Sequence, residues 1–216
     1  MSNRKTFIAN LQKQVQVMGV SKNRTLDEIK ALHEDGITIF GENRVQELEK
    51  KYRDNQPWQW HFIGHLQKNK VKKVLPMVSM IHSVDSIALL KLIDRHAHRL
   101  NKVMDILIQI NVIDETTKFG CQLHELDELI KATESCDFVH LRGFMTMGPT
   151  NQDLEVTATI FQKTHTLFKH HQKTHPHLDT LSIGMSSDYQ LALQHGATMV
   201  RLGTMLFTYS KNAQPQ

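Results

Sequence analysis

The chain has 216 residues, of which 40% are apolar and 22% charged, with only 10 glycines and 5 prolines. This composition excludes disordered and collagen-like chains, and the length predicts a single domain over residues 1–216, because two domains need roughly 100–200 residues each. The net charge of +4 is too mild to indicate a nucleic-acid partner.

Short apolar runs typical of strands alternate with stretches of helical spacing along the whole chain. We predict eight strands, at residues 15–20, 37–40, 60–63, 80–83, 104–112, 139–145, 180–183 and 199–202. Helical stretches follow them, the clearest at residues 26–33, 45–52, 124–133, 154–171 and 189–195. Alternation of this kind implies parallel βαβ units. Eight units predict a single (β/α)₈ barrel, with a doubly wound open sheet as the alternative.

The chemistry of such barrels lies at the carboxyl ends of the strands, where Lys22 follows the first predicted strand. One interpretation is a lysine that extends its ammonium group into water. The other is a Schiff-base lysine, whose pKa is lowered by partial burial so that the neutral amine can attack an aldehyde. The residues alone favour the first interpretation.

A phosphate site is indicated at the other end of the chain. Ser186 and Ser187 follow the seventh predicted strand, and Gly203 and Thr204 follow the eighth. Barrels often bind phosphate with these two loops, through backbone N–H groups and hydroxyls. Ser186, Ser187 or Asp188 could also cap the following helix, which is compatible with phosphate binding.

Arg201 lies inside the last predicted strand. The period of two places it on the face that points into the barrel, and a buried guanidinium needs a partner. From the sequence, a structural carboxylate and a bound ligand are equally good candidates for the partner of the Arg201 guanidinium.

Pyridoxal 5'-phosphate (PLP) has an aldehyde, a phosphate and a ring nitrogen. The lysine could take the aldehyde, the two loops could take the phosphate, and the arginine could face the ring nitrogen. The chain here resembles the PLP homeostasis proteins, which are related to the N-terminal barrel of alanine racemases. The resemblance rests on seven segments in family order between Val17 and Phe207: 20–22, 40–47, 60–70, 109–111, 141–145, 181–188 and 196–204.

The resemblance implies a set of cofactor contacts. Lys22 would carry PLP as an aldimine and Arg201 would face the pyridine nitrogen. Asn43 would lie near the cofactor at the end of the second strand. The phosphate would be held by Ser186, Ser187, Gly203 and Thr204.

An arginine at the ring nitrogen weakens PLP as an electron sink. Racemisation needs a second base, which the resemblance places in a C-terminal domain beyond the barrel, and the chain ends at Gln216. We therefore expect a carrier without catalytic residues, which holds and exchanges PLP. The alternative is a weak amino-acid racemase that uses Lys22 as a base. PLP-dependent apo-enzymes are expected as partners of a monomeric protein.

Three further features bear on the location of the protein and on other ligands. The N-terminal region has no secretory apolar segment, and no apolar run reaches the roughly 18 residues of a membrane span, so we expect a cytoplasmic protein. Lys68, Lys70, Lys72 and Lys73 form a basic patch that we interpret as a solvated helix face. The 14 histidines and two cysteines show no metal-ligand spacing, and no metal is expected.

Overall fold

The structure is a computed structural model that describes residues 3–113 and 119–209. Its strands are β1 (Gln16–Val20), β2 (Ile39–Glu42), β3 (Gln59–Phe62), β4 (Met80–Val84), β5 (Met104–Gln109), β6 (Val139–Met145), β7 (Thr180–Met185) and β8 (Met199–Leu202). Its helices are α1 (Asn3–Leu11), α2 (Leu26–Glu34), α3 (Val45–Lys51), α4 (Val71–Val74), α5 (Ile87–Arg99), α6 (Leu126–Thr133), α7 (Leu154–Gln172), α8 (Tyr189–Gln194) and α9 (Thr204–Phe207). Short 3₁₀ turns lie at Lys68–Lys70, Leu75–Met77 and Leu123–Glu125.

The eight strands form a closed parallel barrel in chain order. Closure is made by β1 and β8, where Val17 lies opposite Val200. This confirms the predicted (β/α)₈ barrel, and the open sheet is wrong. Because all strands are parallel, their carboxyl ends meet at one face of the barrel, which is the mouth of the site.

The fifth strand is shorter than predicted. The apolar pattern extends to Val112, but β5 ends at Gln109. The N–H of Ile110 still donates to the carbonyl of Met145 in β6 at 2.9 Å, and Ile110 also forms an isolated bridge with Cys121. The N–H of Asn111 donates to the carbonyl of Cys121 at 2.9 Å, so the chain leaves the barrel to pair with its own loop. Residues 110–113 line the mouth, and from Asn111 onward the chain no longer continues the sheet.

The main core lies between the barrel and the helices, where the outward-facing side chains of the strands pack. The barrel interior holds smaller apolar clusters, one of Met18, Ile39 and Met199 and one of Met80, Leu107 and Met145. Methionines fill the irregular space inside a small barrel because their side chains adapt easily.

The first helix was not predicted from the sequence. In α1, Ile8 and Leu11 are buried, and Arg4 pairs with Asp35 at the end of α2 at 2.5 Å. Thr25 caps α2 through a reciprocal capping box with Glu28.

No helix in the described ranges is long and apolar enough to cross a membrane.

Candidate functional site

A cavity of about 700 Å³ opens at the carboxyl ends of the strands. All seven positions predicted to contact the cofactor line it, although they come from four different strand ends. They are Lys22, Asn43, Ser186, Ser187, Arg201, Gly203 and Thr204. Lys22 and Thr204 are 182 residues apart in the sequence. They meet at this cavity because β1 pairs with β8.

Lys22 follows β1 in the loop at the mouth of the barrel. The residue before it, Ser21, is fully buried, whereas Lys22 itself is exposed. Asn23 then turns the chain in a left-handed conformation with φ of 59°. The exposure agrees with the first interpretation, a lysine extended toward water, and the partial burial assumed by the Schiff-base interpretation is wrong, although Lys22 also lines the cavity.

Asn43 follows β2 and is half-buried in the cavity wall. Its Oδ1 atom is buried and has no hydrogen-bond partner among the described residues. The main chain of Asn43 packs directly against Gly64, where a Cβ atom would overlap the Asn43 carbonyl oxygen. An unsatisfied amide oxygen in a cavity wall is a group that a bound ligand can satisfy.

Arg201 points into the barrel from β8 and is only 3% exposed. Its Nη1 donates to the carbonyl and the hydroxyl oxygen of Ser182, at 2.7 and 2.8 Å, and its Nη2 donates to the carbonyl of Thr146 at 2.9 Å. Burial lowers the pKa of Arg201 to about 10, against the opposing charge of Asp188, so the guanidinium stays protonated at neutral pH.

The partner of Arg201 is thus not a structural carboxylate. No ion pair in the described part of the chain includes Arg201. Its charge is balanced by the dipoles of two carbonyls and a hydroxyl. A buried cation held in this way is costly for stability alone, and it is available to a ligand in the cavity.

Two buried histidines extend this network, and neither was singled out from the sequence. Nδ1 of His82 lies 3.3 Å from the Ser182 hydroxyl oxygen, and Nε2 of His82 lies 3.0 Å from Nδ1 of His61. Because that hydroxyl accepts from Arg201, its own hydrogen is free to donate to His82. His82 then donates from Nε2 to His61, which assigns both imidazoles as neutral.

Burial keeps both imidazoles neutral. It lowers the pKa of His61 to about 3 and that of His82 well below its usual range. The proximity of His61 and the charge of Arg201 lower the pKa of His82 further. The two histidines were predictable as inward-facing residues of β3 and β4 from the period of two. Their link to Ser182 was not predictable, because it joins positions 100 residues apart.

The loops after β7 and β8 are joined at the cavity. Ser186 Oγ accepts a hydrogen bond from the N–H of Gly203 at 3.1 Å. Asp188 occupies the N-cap position of α8 but makes no side-chain capping bond, since its Oδ1 accepts from the N–H of Met185. The hydroxyls of these loops are therefore not used as helix caps, and Ser187 and Thr204 are exposed to the cavity.

The other features singled out in the sequence lie outside this cavity. None of the four lysines of the basic patch lines it, and Lys73 pairs with Glu49 at 3.2 Å. On the outside of the barrel, His171 of α7 contacts Asp127 of α6, and His175, beyond the end of α7, contacts Glu134. The described residues contain no group of three or more His, Cys, Asp or Glu side chains that could hold a metal ion.

Comparison with known proteins gives consistent results. The family model of the alanine racemase N-terminal domain matches residues 2–211. A pyridoxal phosphate homeostasis protein of Aquifex aeolicus is 39% identical over 198 residues, which cover 89% of this chain and 86% of that protein. One from Escherichia coli K12 is 34% identical over 206 residues, covering 92% and 88%.

Solved structures are similar over nearly the whole chain. PipY of Synechococcus elongatus, solved with PLP bound, is 34% identical with a TM-score of 0.86, covering 95% of this chain and 100% of that chain. An alanine racemase of Clostridium difficile has a TM-score of 0.80, covering 97% of this chain and 59% of that chain. At 15% identity, the second likeness concerns the fold alone.

Proposed function

The chain belongs to the family of the alanine racemase N-terminal domain and, within it, to the pyridoxal phosphate homeostasis proteins, and from this premise we propose that it binds PLP and serves the intracellular balance of this cofactor. The observation that carries the proposal is the convergence of seven positions from four strand ends on one cavity. The cavity volume of about 700 Å³ lies within the range of roughly 300–1,000 Å³ that is typical of small-molecule sites.

The groups around the cavity fit PLP chemically. When bound, PLP supplies an aldehyde that condenses with amines, a phosphate and a pyridine nitrogen. Lys22 presents a primary amine, the loops after β7 and β8 present hydroxyls and backbone N–H groups, and Arg201 presents a cation. The unsatisfied Oδ1 of Asn43 adds a further polar group on the wall.

Lys22 is suited to exchange. An exposed amine can be reached by water and by other amines, so a cofactor attached there can be released to an acceptor without a large conformational change. A buried catalytic lysine would retain its cofactor more firmly. The exposure of Lys22 therefore supports a carrier.

Arg201 is suited to keeping an adjacent nitrogen unprotonated. Its guanidinium is fixed by three hydrogen bonds and remains charged, and a fixed cation opposes the arrival of a second positive charge. The neutral His82 and His61 behind it hold no acidic proton to pass forward. This arrangement disfavours the electron withdrawal that transamination and decarboxylation require.

Further parts of the proposal concern the protein in the cell. Residues 1–216 would act as one PLP-binding domain, as a monomer in the cytoplasm, and would deliver PLP to apo-enzymes that depend on it. The proposal includes neither nucleic acid nor a membrane as a partner.

The test is reconstitution of the purified protein with PLP, followed by desalting and visible absorbance. We expect a yellow protein whose absorbance shifts on borohydride reduction, and we expect no retained colour in Lys22→Ala. A folded wild-type protein that keeps no PLP after reconstitution would refute the proposal.

A further inference from the structure

A buried ion pair lies directly beneath the candidate cofactor lysine and takes no part in the site described above. Lys51, at the end of α3, is 5% exposed, and Glu42, at the end of β2, is fully buried. Lys51 Nζ donates to Glu42 Oε1 at 2.6 Å and lies 3.3 Å from Glu47 Oε2. Glu42 Oε2 is buried and has no partner among the described residues.

The same ammonium group reaches the first strand. Lys51 Nζ donates to the carbonyl oxygen of Ser21 at 2.7 Å. The hydroxyl of Ser21 donates to Glu42 Oε1 at 2.7 Å, and its N–H donates to the carbonyl of Gly41 at 3.0 Å. Every polar group of Ser21 is therefore held, either by the ion pair or by β2.

The two residues fixed in this way directly precede two predicted cofactor contacts. Ser21 comes before Lys22, and Glu42 comes before Asn43. Lys51 thus ties the end of β1 to the end of β2 at the points where the chain enters the cavity. A site of this kind functions only if its contacting groups are held to within about 0.5 Å, which requires supporting residues.

Stability alone does not account for the pair. Desolvation of two buried charges offsets most of their attraction, and apolar residues of similar volume often serve as well or better. The neighbouring Lys50 on α3 shows the contrast, since its side chain is 74% exposed and lies 3.8 Å from Glu47.

We propose that Lys51 and Glu42 are positioning residues that set the place of Lys22 and Asn43 for PLP binding. The proposal rests on the proposed function, because it concerns the same cavity. The new proposal differs from the proposed function because it concerns two residues that do not line the cavity. Their effect is transmitted through Ser21 and through the end of β2.

The test uses the full chain with both charges replaced together, as Glu42→Leu/Lys51→Met. Removal of one charge alone would leave the other buried and unpaired and would damage folding, whereas the double variant leaves no buried charge. The buried Ser21 keeps other partners in the double variant, because its hydroxyl also lies 3.3 Å from the carbonyl of Gly41 and its carbonyl also accepts from the N–H of Arg24 at 3.0 Å. Lys50→Met on the same helix is the matched control. The measurements are the dissociation constant for PLP, the yield of PLP trapped on Lys22 by borohydride, and the midpoint of thermal unfolding.

We expect the double variant to unfold at or above the wild-type temperature while its dissociation constant for PLP rises about tenfold or more and trapping on Lys22 falls. Lys50→Met should match the wild type in all three. Equal affinity and trapping in a folded double variant would overturn the proposal while the proposed function stands. A wild-type protein that does not bind PLP would count against the proposed function itself.

Ser21→Ala decides the question if the double variant does not fold, because it removes only the hydroxyl that donates to Glu42. Here we expect the dissociation constant for PLP to rise about threefold or more, with the thermal midpoint little changed. An unchanged dissociation constant would overturn the proposal.

Discussion

We expect the buried pair His61 and His82 to lower the stability of the folded protein in mild acid. Both imidazoles remain neutral when folded, with a pKa of about 3 for His61, whereas a histidine in an unfolded chain has a pKa of about 6.5. Below pH 6.5 the unfolded chain binds protons at these positions and the folded chain does not. Their contribution to the free energy of unfolding is therefore complete above pH 6.5 and is lost as the pH falls toward the folded pKa.

Between pH 7 and pH 5.5 the loss is about 1.3 kcal/mol for each histidine, or about 2.5 kcal/mol for the pair. The assay is urea unfolding of PLP-free protein at both pH values, with equal m-values required. His61→Gln keeps a hydrogen-bonding group but cannot titrate, so its loss over this range should be smaller than that of the wild type by about 1.3 kcal/mol.

Because the free energy of unfolding of each variant is compared with itself at two pH values, any pH-independent cost of the substitution cancels. His124→Gln, at an exposed histidine, is the control and should show the wild-type loss. If His61→Gln loses as much stability as the wild type between pH 7 and pH 5.5, the buried neutral pair is not what the structure indicates.

Three other predictions concern the cavity. Gly64→Ala places a Cβ atom on the carbonyl oxygen of Asn43, so we expect about 1–3 kcal/mol of destabilisation and weaker PLP binding, measured by urea unfolding and titration; unchanged PLP affinity would contradict it. Ser182→Ala removes a hydrogen bond to the charged Arg201, so we expect it to lower the free energy of unfolding by about 1.5–3 kcal/mol. It should also shift the absorbance of bound PLP, whereas a substitution on the outer helices should leave that absorbance unchanged. PLP-loaded protein should not exchange the α-proton of amino acids in deuterated buffer at rates of enzymatic turnover; exchange that is abolished by Lys22→Ala would instead support the racemase alternative.

The fold was predictable because strand and helix periods differ. Strands such as β6 and β8 have the predicted bounds, since a period of two is set by local sequence alone. The end of β5 was not predictable, because the apolar pattern continues through Val112 while Asn111 leaves the sheet to pair with Cys121 in the loop that follows. The helix α1 was also missed, because its burial depends on packing against elements that are distant in sequence, as in the pair of Arg4 with Asp35.

The site was predictable where strand ends carry distinctive residues. Lys22 and Arg201 could be singled out by their position relative to apolar runs, and the structure brings them to one cavity. The supporting residues could not be found in this way. Lys51 is one of several lysines on a charged helix, and only the closed barrel shows that it is buried against Glu42 and Ser21.

The central claim is that this chain binds PLP through Lys22, and peptide mapping after borohydride reduction tests it most directly. PLP-loaded protein is reduced, digested, and each lysine-containing peptide is weighed. We predict one dominant phosphopyridoxyl group, on Lys22, with the same treatment of Lys22→Ala leaving no site modified to a comparable extent. Modification mainly at another lysine, or none in a folded, PLP-saturated protein, would contradict the account.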